Sequence, residues 1–155
     1  MFNVLNFVEV KLLHDNFKNG TWELPNYATK ESAAFDLLAA IDEPVNIPAF
    51  ETKFIPTGLS IWIDNPDFVL IITPRSGKGC KEGKVLANTV GVIDSDYQGP
   101  LIMCVYNRTS NEITVNPGEH IAQALLLPKY RMNYLIVEEF SNVTQRGENG
   151  FGSTK

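Results

Sequence analysis

Two cysteines in 155 residues are too few for a disulfide framework, and with only two histidines the chain has no Cys/His spacing of the kind that holds structural zinc. Cys80 falls in a Gly/Lys-rich stretch and Cys104 inside an apolar one, so a reducing, intracellular setting is the expectation. No uninterrupted apolar run approaches the ~18 residues of a membrane span. The start, Met1-Phe2-Asn3-Val4-Leu5, lacks a basic segment followed by a long apolar one. The expectation is a soluble protein of the cytoplasm, or of a host cytoplasm if virus-encoded, with no membrane partner. Positive charge is also short. A formal net charge of −5 argues against a protein that coats nucleic acid, while leaving room for a small phosphate-bearing ligand gripped by a few local cations and backbone amides. Long helical periodicity, internal repeats, low-complexity tracts and interdomain linkers are missing as well.

What is present is β structure. Hydrophobic residues make up 44% of the chain, enough for one ordinary domain to bury a core without disulfide support. Short apolar runs recur between turn residues, and strands are predicted at 4–12, 35–40, 45–47, 50–63, 68–73, 84–90, 101–107, 113–115, 120–127 and 134–138. In Leu59-Ser60-Ile61-Trp62-Ile63 the alternation has the period of two that marks a strand. Asp64-Asn65-Pro66-Asp67 and Asn116-Pro117-Gly118 are turns in which Pro fixes one dihedral and Asn or Gly accepts unusual ones. About ten short strands so spaced point to a sandwich or jelly roll. The expected organisation is an all-β, jelly-roll-like distorted barrel over 1–143 and a flexible Gly-rich arm over 144–155, in which Phe151 is the one large apolar group.

Five stretches carry candidate chemistry. Asn88-Thr89-Val90-Gly91-Val92-Ile93-Asp94-Ser95-Asp96-Tyr97-Gln98-Gly99 ends an apolar run in two carboxylates and a phenol. It reads as a hairpin presenting Asp94, Asp96 and Tyr97 at the rim of a pocket, although Asp, Ser and Gly also serve ordinary turns. Pro74-Arg75-Ser76-Gly77-Lys78-Gly79 delivers a guanidinium, a hydroxyl and two glycines at a strand end. Such a loop can wrap a phosphate, and it can equally be a solvated basic turn; it lacks Walker A spacing. Arg146-Gly147-Glu148-Asn149-Gly150-Phe151-Gly152-Ser153-Thr154 repeats these ingredients around an aromatic able to close over a flat ring, with a disordered tail as the alternative. Gln123 is the one amide in an apolar run, His120 has no Ser or Cys nucleophile evidently paired with it, and Asp36 is a lone carboxylate in a small apolar strand that needs a partner, a water or a metal.

Taken together, Ser-Ala-x-x-Asp-Leu, Pro-Arg-Ser-Gly, Gly-Val-Ile-Asp-Ser-Asp-Tyr-Gln-Gly, Pro-Gly-Glu-x-Ile-Ala-Gln and Arg-Gly-x-x-Gly-Phe-Gly-Ser-Thr, in this order, resemble the five motifs of the trimeric deoxyuridine triphosphatase family. The resemblance implies a jelly-roll subunit, a homotrimer with active sites at subunit interfaces, and hydrolysis of dUTP to dUMP and pyrophosphate, which lowers dUTP and supplies dUMP for thymidylate synthesis. It makes Asp94 the general base. Arg75, Ser76, Gly77, Gln123, Arg146, Gly152, Ser153 and Thr154 are expected around the phosphates, with Arg75 alternatively supporting the trimer interface. Asn88 and groups around Gly91, Ile93 and Ile102 would line the uracil, Tyr97 would lie against the deoxyribose, and Phe151 would stack on the base. Mg²⁺ is the implied cofactor, carried by the phosphates and waters, with Asp36 reaching it through water. Lys78, Asn149, Lys155 and the Ala34-Phe35 pair depart from the family pattern. A related dCTP deaminase and a nucleotide-dependent regulatory protein are the competing readings.

Overall fold

A computed structural model describes residues 7–149. Along them run β1 (Glu9–Leu12), α1 (Asp15–Lys18), β2 (Phe35–Leu38), β3 (Val45–Ile47), β4 (Thr52–Pro56), β5 (Leu59–Trp62), β6 (Phe68–Pro74), α2 (Ser76–Lys81), β7 (Lys84–Leu86), β8 (Gly91–Ile93), β9 (Ile102–Asn107), β10 (Ile113–Val115) and β11 (His120–Pro128). The fold is nearly all-β and jelly-roll-like, as expected. One sheet has the order β2-β11-β6-β8 and another β4-β9-β7, with β1-β5 and β3-β10 as separate pairs; all these pairings are antiparallel.

Strand alternation builds a single core. Along β9, Met103, Val105 and Asn107 are buried while Ile102 faces outward, and in β11 Ala122 and Ala124 point inward with Gln123 turned the other way between them. Leu37, Leu70, Ile72 and Ile121 from the first sheet join Ile55, Met103 and Val105 from the second, with Leu59, Ile47 and Val115 from the paired strands. Asn107, fully buried, ties this core together: its amide nitrogen donates to the carbonyls of Ile47, Pro48 and Asn111, and its oxygen accepts from the backbone and hydroxyl of Thr109.

Several expected elements differ. The strand predicted over 50–63 breaks at Thr57-Gly58, where Gly58 has φ +72° and a Cβ would stand 2.7 Å from that of Ala40. The strand predicted over 84–90 stops at Leu86, because Thr89 takes φ 60° in a tight turn. No strand forms over 134–138; Tyr134, Leu135 and Ile136 are exposed, and a strand without a neighbouring edge has no ladder to join. The basic loop after β6 is instead the short helix α2, too brief for a 3.6-residue period to register in the sequence. Finally, β8 and β9 do not form a hairpin with each other: β8 pairs with β6, and β9 with β4 and β7, so the Asp94–Gly99 turn crosses from one sheet to the other. Among the described residues no helix is long and apolar enough to cross a membrane.

Candidate active site

The register of the first sheet brings together residues far apart in the chain. Gln123 lies opposite Asp36 on one side and Thr73 on the other, and Arg75 follows directly where β6 ends. Asp36, Arg75, Ser76, Gly77 and Gln123 consequently line one cleft of about 660 Å³. The lone carboxylate has partners: Arg75 Nε donates to Asp36 Oδ1 at 2.8 Å, His120 Nδ1 lies 3.2 Å from Oδ2, and Arg75 also donates to the His120 carbonyl at 3.3 Å. His120 thus serves the site as a neighbour of Asp36, half-exposed at the start of β11. Gln123 donates to the Pro74 carbonyl at 3.3 Å, which ties it to the strand end that launches Arg75. Arg75 caps α2 without a side-chain hydrogen bond to it, leaving Ser76 and Gly77 exposed in the first turn, where helix amides have no intrahelical acceptors.

Lys78 and Lys81 line the same cleft. Lys78 is paired with Glu82 at 2.9 Å and Glu119 at 2.7 Å. Partial burial pulls its ammonium toward a lower pKa, but hydrogen bonds to Glu119 and Glu82 outweigh this and hold it above the usual lysine value. Burial alone would raise the Glu119 carboxyl; Lys78, Lys84 and the Asn116 amide together lower it. Glu82 is lowered chiefly by its hydrogen bond from Lys78.

Asp94 lies elsewhere in the same chain. It is exposed beside a second recess of about 400 Å³ that also involves Asp64, Ser95, Asp96, Lys129 and Arg131. Ile93 pairs with Leu70, five residues before Arg75 on β6, which corresponds to roughly 17 Å along the sheet. A base must come within ~3 Å of the proton it takes. Asp94 and the Arg75 cleft of one copy therefore do not address the same reacting atom.

Around Asp94 the geometry is tightly prescribed. Tyr97 N–H donates to the Asp94 carbonyl at 3.1 Å, closing the turn, and the Tyr97 hydroxyl donates to the Pro100 carbonyl at 3.1 Å. Gly99 leaves room for the ring, since a Cβ there would stand 2.6 Å from Tyr97 Cζ. Asn88 is exposed, its amide 3.4 Å from the Val90 carbonyl, and Gly91 sits where a Cβ would be 3.3 Å from that of Ile72. Ile93 packs on the core, whereas Ile102 and Tyr97 are exposed at 53% and 43%, available to something outside this chain. Arg146 is exposed and donates to the Asn149 carbonyl at 2.9 Å; Phe151, Gly152, Ser153 and Thr154 lie outside the described residues.

The charged partners Lys84 and Glu119 went unnoticed in the sequence; the available signal was a lysine opening the apolar run Lys84-Val85-Leu86, a position where a charge needs a partner. Among the described residues no group of three or more His, Cys, Asp or Glu side chains is placed to hold a metal ion, and both Asp36 oxygens already have protein partners.

Comparison with known proteins shows the family of the chain. The dUTPase family model matches residues 20–155. The deoxyuridine 5'-triphosphate nucleotidohydrolase of Psychrobacter sp. (strain PRwf-1) is 48% identical over 151 residues, covering 96% of this chain and 97% of its own. That of Coxiella burnetii (strain Dugway 5J108-111) is 48% identical over 147 residues, covering 95% of each. Among solved structures, the dUTPase of Staphylococcus bacteriophage 80alpha with dUPNHPP superposes with a TM-score of 0.83 at 28% identity, over 97% of this chain and 99% of that one. The Streptococcus mutans dUTPase superposes at 0.70 with 29% identity, over 81% and 98%. The chain belongs to the dUTPase family.

Proposed function

We propose that this chain hydrolyses dUTP to dUMP and pyrophosphate at sites completed by neighbouring copies of itself. The observation that carries this reading is the convergence of Asp36, Arg75, Ser76, Gly77 and Gln123 on one cleft. A guanidinium, a hydroxyl and the α2 amides suit the oxygens of a triphosphate. Arg146, Gly152, Ser153 and Thr154 of the arm supply further donors of the same kind. Most of the rate in such chemistry comes from alignment and charge neutralisation. Asp94 takes a proton from the attacking water as its oxygen bonds to the α-phosphorus and the α–β bridging oxygen leaves with pyrophosphate; a positioned base contributes ~10²- to 10⁴-fold.

Specificity follows from the Asn88–Ile102 region. Asn88 and the backbone near Gly91, Ile93 and Ile102 bind the uracil edge, the Tyr97 ring leaves no space for a 2′-hydroxyl, and Phe151 stacks on the base. A misfit that strands polar groups penalises a wrong nucleotide more than a lost apolar contact does. The separation of Asp94 from the Arg75 cleft supports a site shared between copies, and a homotrimer is the assembly we infer. Tyr130, Met132, Leu135, Ile136, Phe140 and Val143, which no other described residue covers, support self-association further.

The described residues do not build a metal cage. They fit a Mg²⁺ that arrives on the phosphates and keeps its waters, with Asp36 able to bond one of those waters. When bound, Mg²⁺ would neutralise phosphate charge. The cellular role we infer is removal of dUTP and supply of dUMP for thymidylate synthesis in the cytoplasm, with no nucleic-acid or membrane partner. The test is pyrophosphate release by the purified protein with Mg²⁺, compared across dUTP, dTTP, dCTP and UTP. Selective release from dUTP is expected, and ammonia from dCTP or silence toward dUTP would overturn the assignment.

A further inference from the structure

Beside the cleft four charged side chains close into a ring. Lys78 Nζ lies 2.7 Å from Glu119 and 2.9 Å from Glu82, and Lys84 Nζ lies 2.5 Å from Glu119 and 3.0 Å from Glu82. Two cations and two anions make it neutral. Lys84 and Glu119 are nearly buried, with side-chain exposures of 7% and 11%. Burying such ions gains little net stability over apolar packing, so stability alone is a weak reason for the ring. What it joins is more informative.

Lys78 belongs to α2 and Glu82 caps its C-terminus; Lys84 opens β7; Glu119 immediately precedes β11. Glu119 is itself fixed to the sheet frame, since its carboxylate accepts from Asn116 N–H at 2.9 Å and its carbonyl accepts from Ala39 N–H at 2.8 Å. The ring therefore fastens α2, which carries Ser76 and Gly77, to the frame that carries Asp36 and Gln123. With two glycines in six residues, α2 has little intrinsic helical preference and depends on such an external hold.

We propose that the Lys78–Glu119–Lys84–Glu82 ring is a positioning device that sets α2 against the β- and γ-phosphates of the substrate. This rests on the reading of the cleft as the triphosphate grip. Lys78 and Glu119 act through α2, so the effect is specific to the distal phosphates and leaves the nucleoside end alone.

Binding of dUMP and of the non-hydrolysable imido analogue of dUTP is measured by calorimetry in Mg²⁺ for the wild type, K78M, K78R and E119Q. The expected result is an affinity for the imido analogue lowered roughly tenfold in K78M and E119Q, unchanged dUMP affinity, and recovery in K78R. Glu119→Gln separates positioning from a direct phosphate contact by Lys78, because freeing Lys78 from Glu119 would then tighten the analogue; tightening overturns the proposal. Equal weakening of both ligands, or no change in either, overturns it too. If E119Q fails to fold, the charge-balanced K84M/E119Q pair replaces it with the same expected outcome. A wild type that does not bind the analogue contradicts the cleft reading itself, whereas wild-type binding with insensitive variants contradicts the ring alone.

Discussion

Gly99→Ala is a small change with a large predicted effect. The new Cβ would stand 2.6 Å from Tyr97 Cζ and 3.0 Å from Cε2, against the ~3.5 Å at which carbon atoms begin to repel. The ring must retreat by about 1 Å, and the hydroxyl gives up its bond to the Pro100 carbonyl. One hydrogen bond at a partly exposed site costs about 1 kcal/mol, which lowers Tm by roughly 2–4 °C in a domain of this size. The functional cost is greater, because a displacement of about 1 Å at a substrate-positioning group can cost up to ~10²-fold in rate. Pyrophosphate release from dUTP and from UTP is compared for the wild type, G99A and Y97F. In G99A, kcat/KM for dUTP falls ten- to hundredfold and the preference over UTP narrows about tenfold, while Y97F, which keeps the ring, retains most of the preference. An unchanged dUTP/UTP ratio in a folded G99A would refute the assignment of Tyr97 to the sugar.

Asn107→Leu strands the buried Ile47 carbonyl and takes a partner from the more exposed Pro48 and Asn111 carbonyls and from Thr109, and costs about 2–4 kcal/mol, read from the urea midpoint at fixed protomer concentration; a loss under about 1 kcal/mol contradicts it. Glu119 has its folded pKa below the ordinary 4.5, so it contributes stability above that pH that disappears as pH falls through the folded value. Accordingly, the stability difference between wild type and E119Q is full near neutrality and shrinks in acid, and a pH-independent difference in urea titrations would be inconsistent with the pairing. Leu101→Ala, which empties a fully buried position, costs about 2–5 kcal/mol by the same denaturant measurement, and a near-neutral result would mean that Leu101 is not part of the core.

The strands β6, β9 and β11 were legible because each is a short, nearly continuous apolar run bounded by turn residues, the mark of a strand buried within a sheet. The run over 50–63 misled because strand-forming residues stand on both sides of Thr57-Gly58, and the break is fixed by Gly58 at positive φ, crowded against Ala40, a tertiary fact. Likewise, 134–138 has strand-like composition, but composition cannot supply the partner edge. Asp36, Arg75, Ser76, Gly77 and Gln123 were identified singly and through family resemblance; their meeting in one cleft depends on the β2-β11-β6 register. Asp94 and Tyr97 were correctly placed on a turn, yet that turn joins two sheets. Lys84 and Glu119 were missed because a lysine opening an apolar run signals only that a partner is needed, whereas which partners it meets depends on α2, β7 and the turn before β11 coming together.

Asp94 and the Arg75 cleft lie too far apart in one copy to act on the same phosphorus, so a shared site can be tested by complementation. Asp94→Asn and Gln123→Ala chains are each assayed alone for pyrophosphate release from dUTP and then after being refolded together. Each alone should be nearly inactive, and the mixture should regain a substantial part of wild-type activity, because some sites then combine an intact Asp94 from one copy with an intact cleft from another. A folded, mixed assembly that stays as inactive as its parents would contradict a site shared between copies.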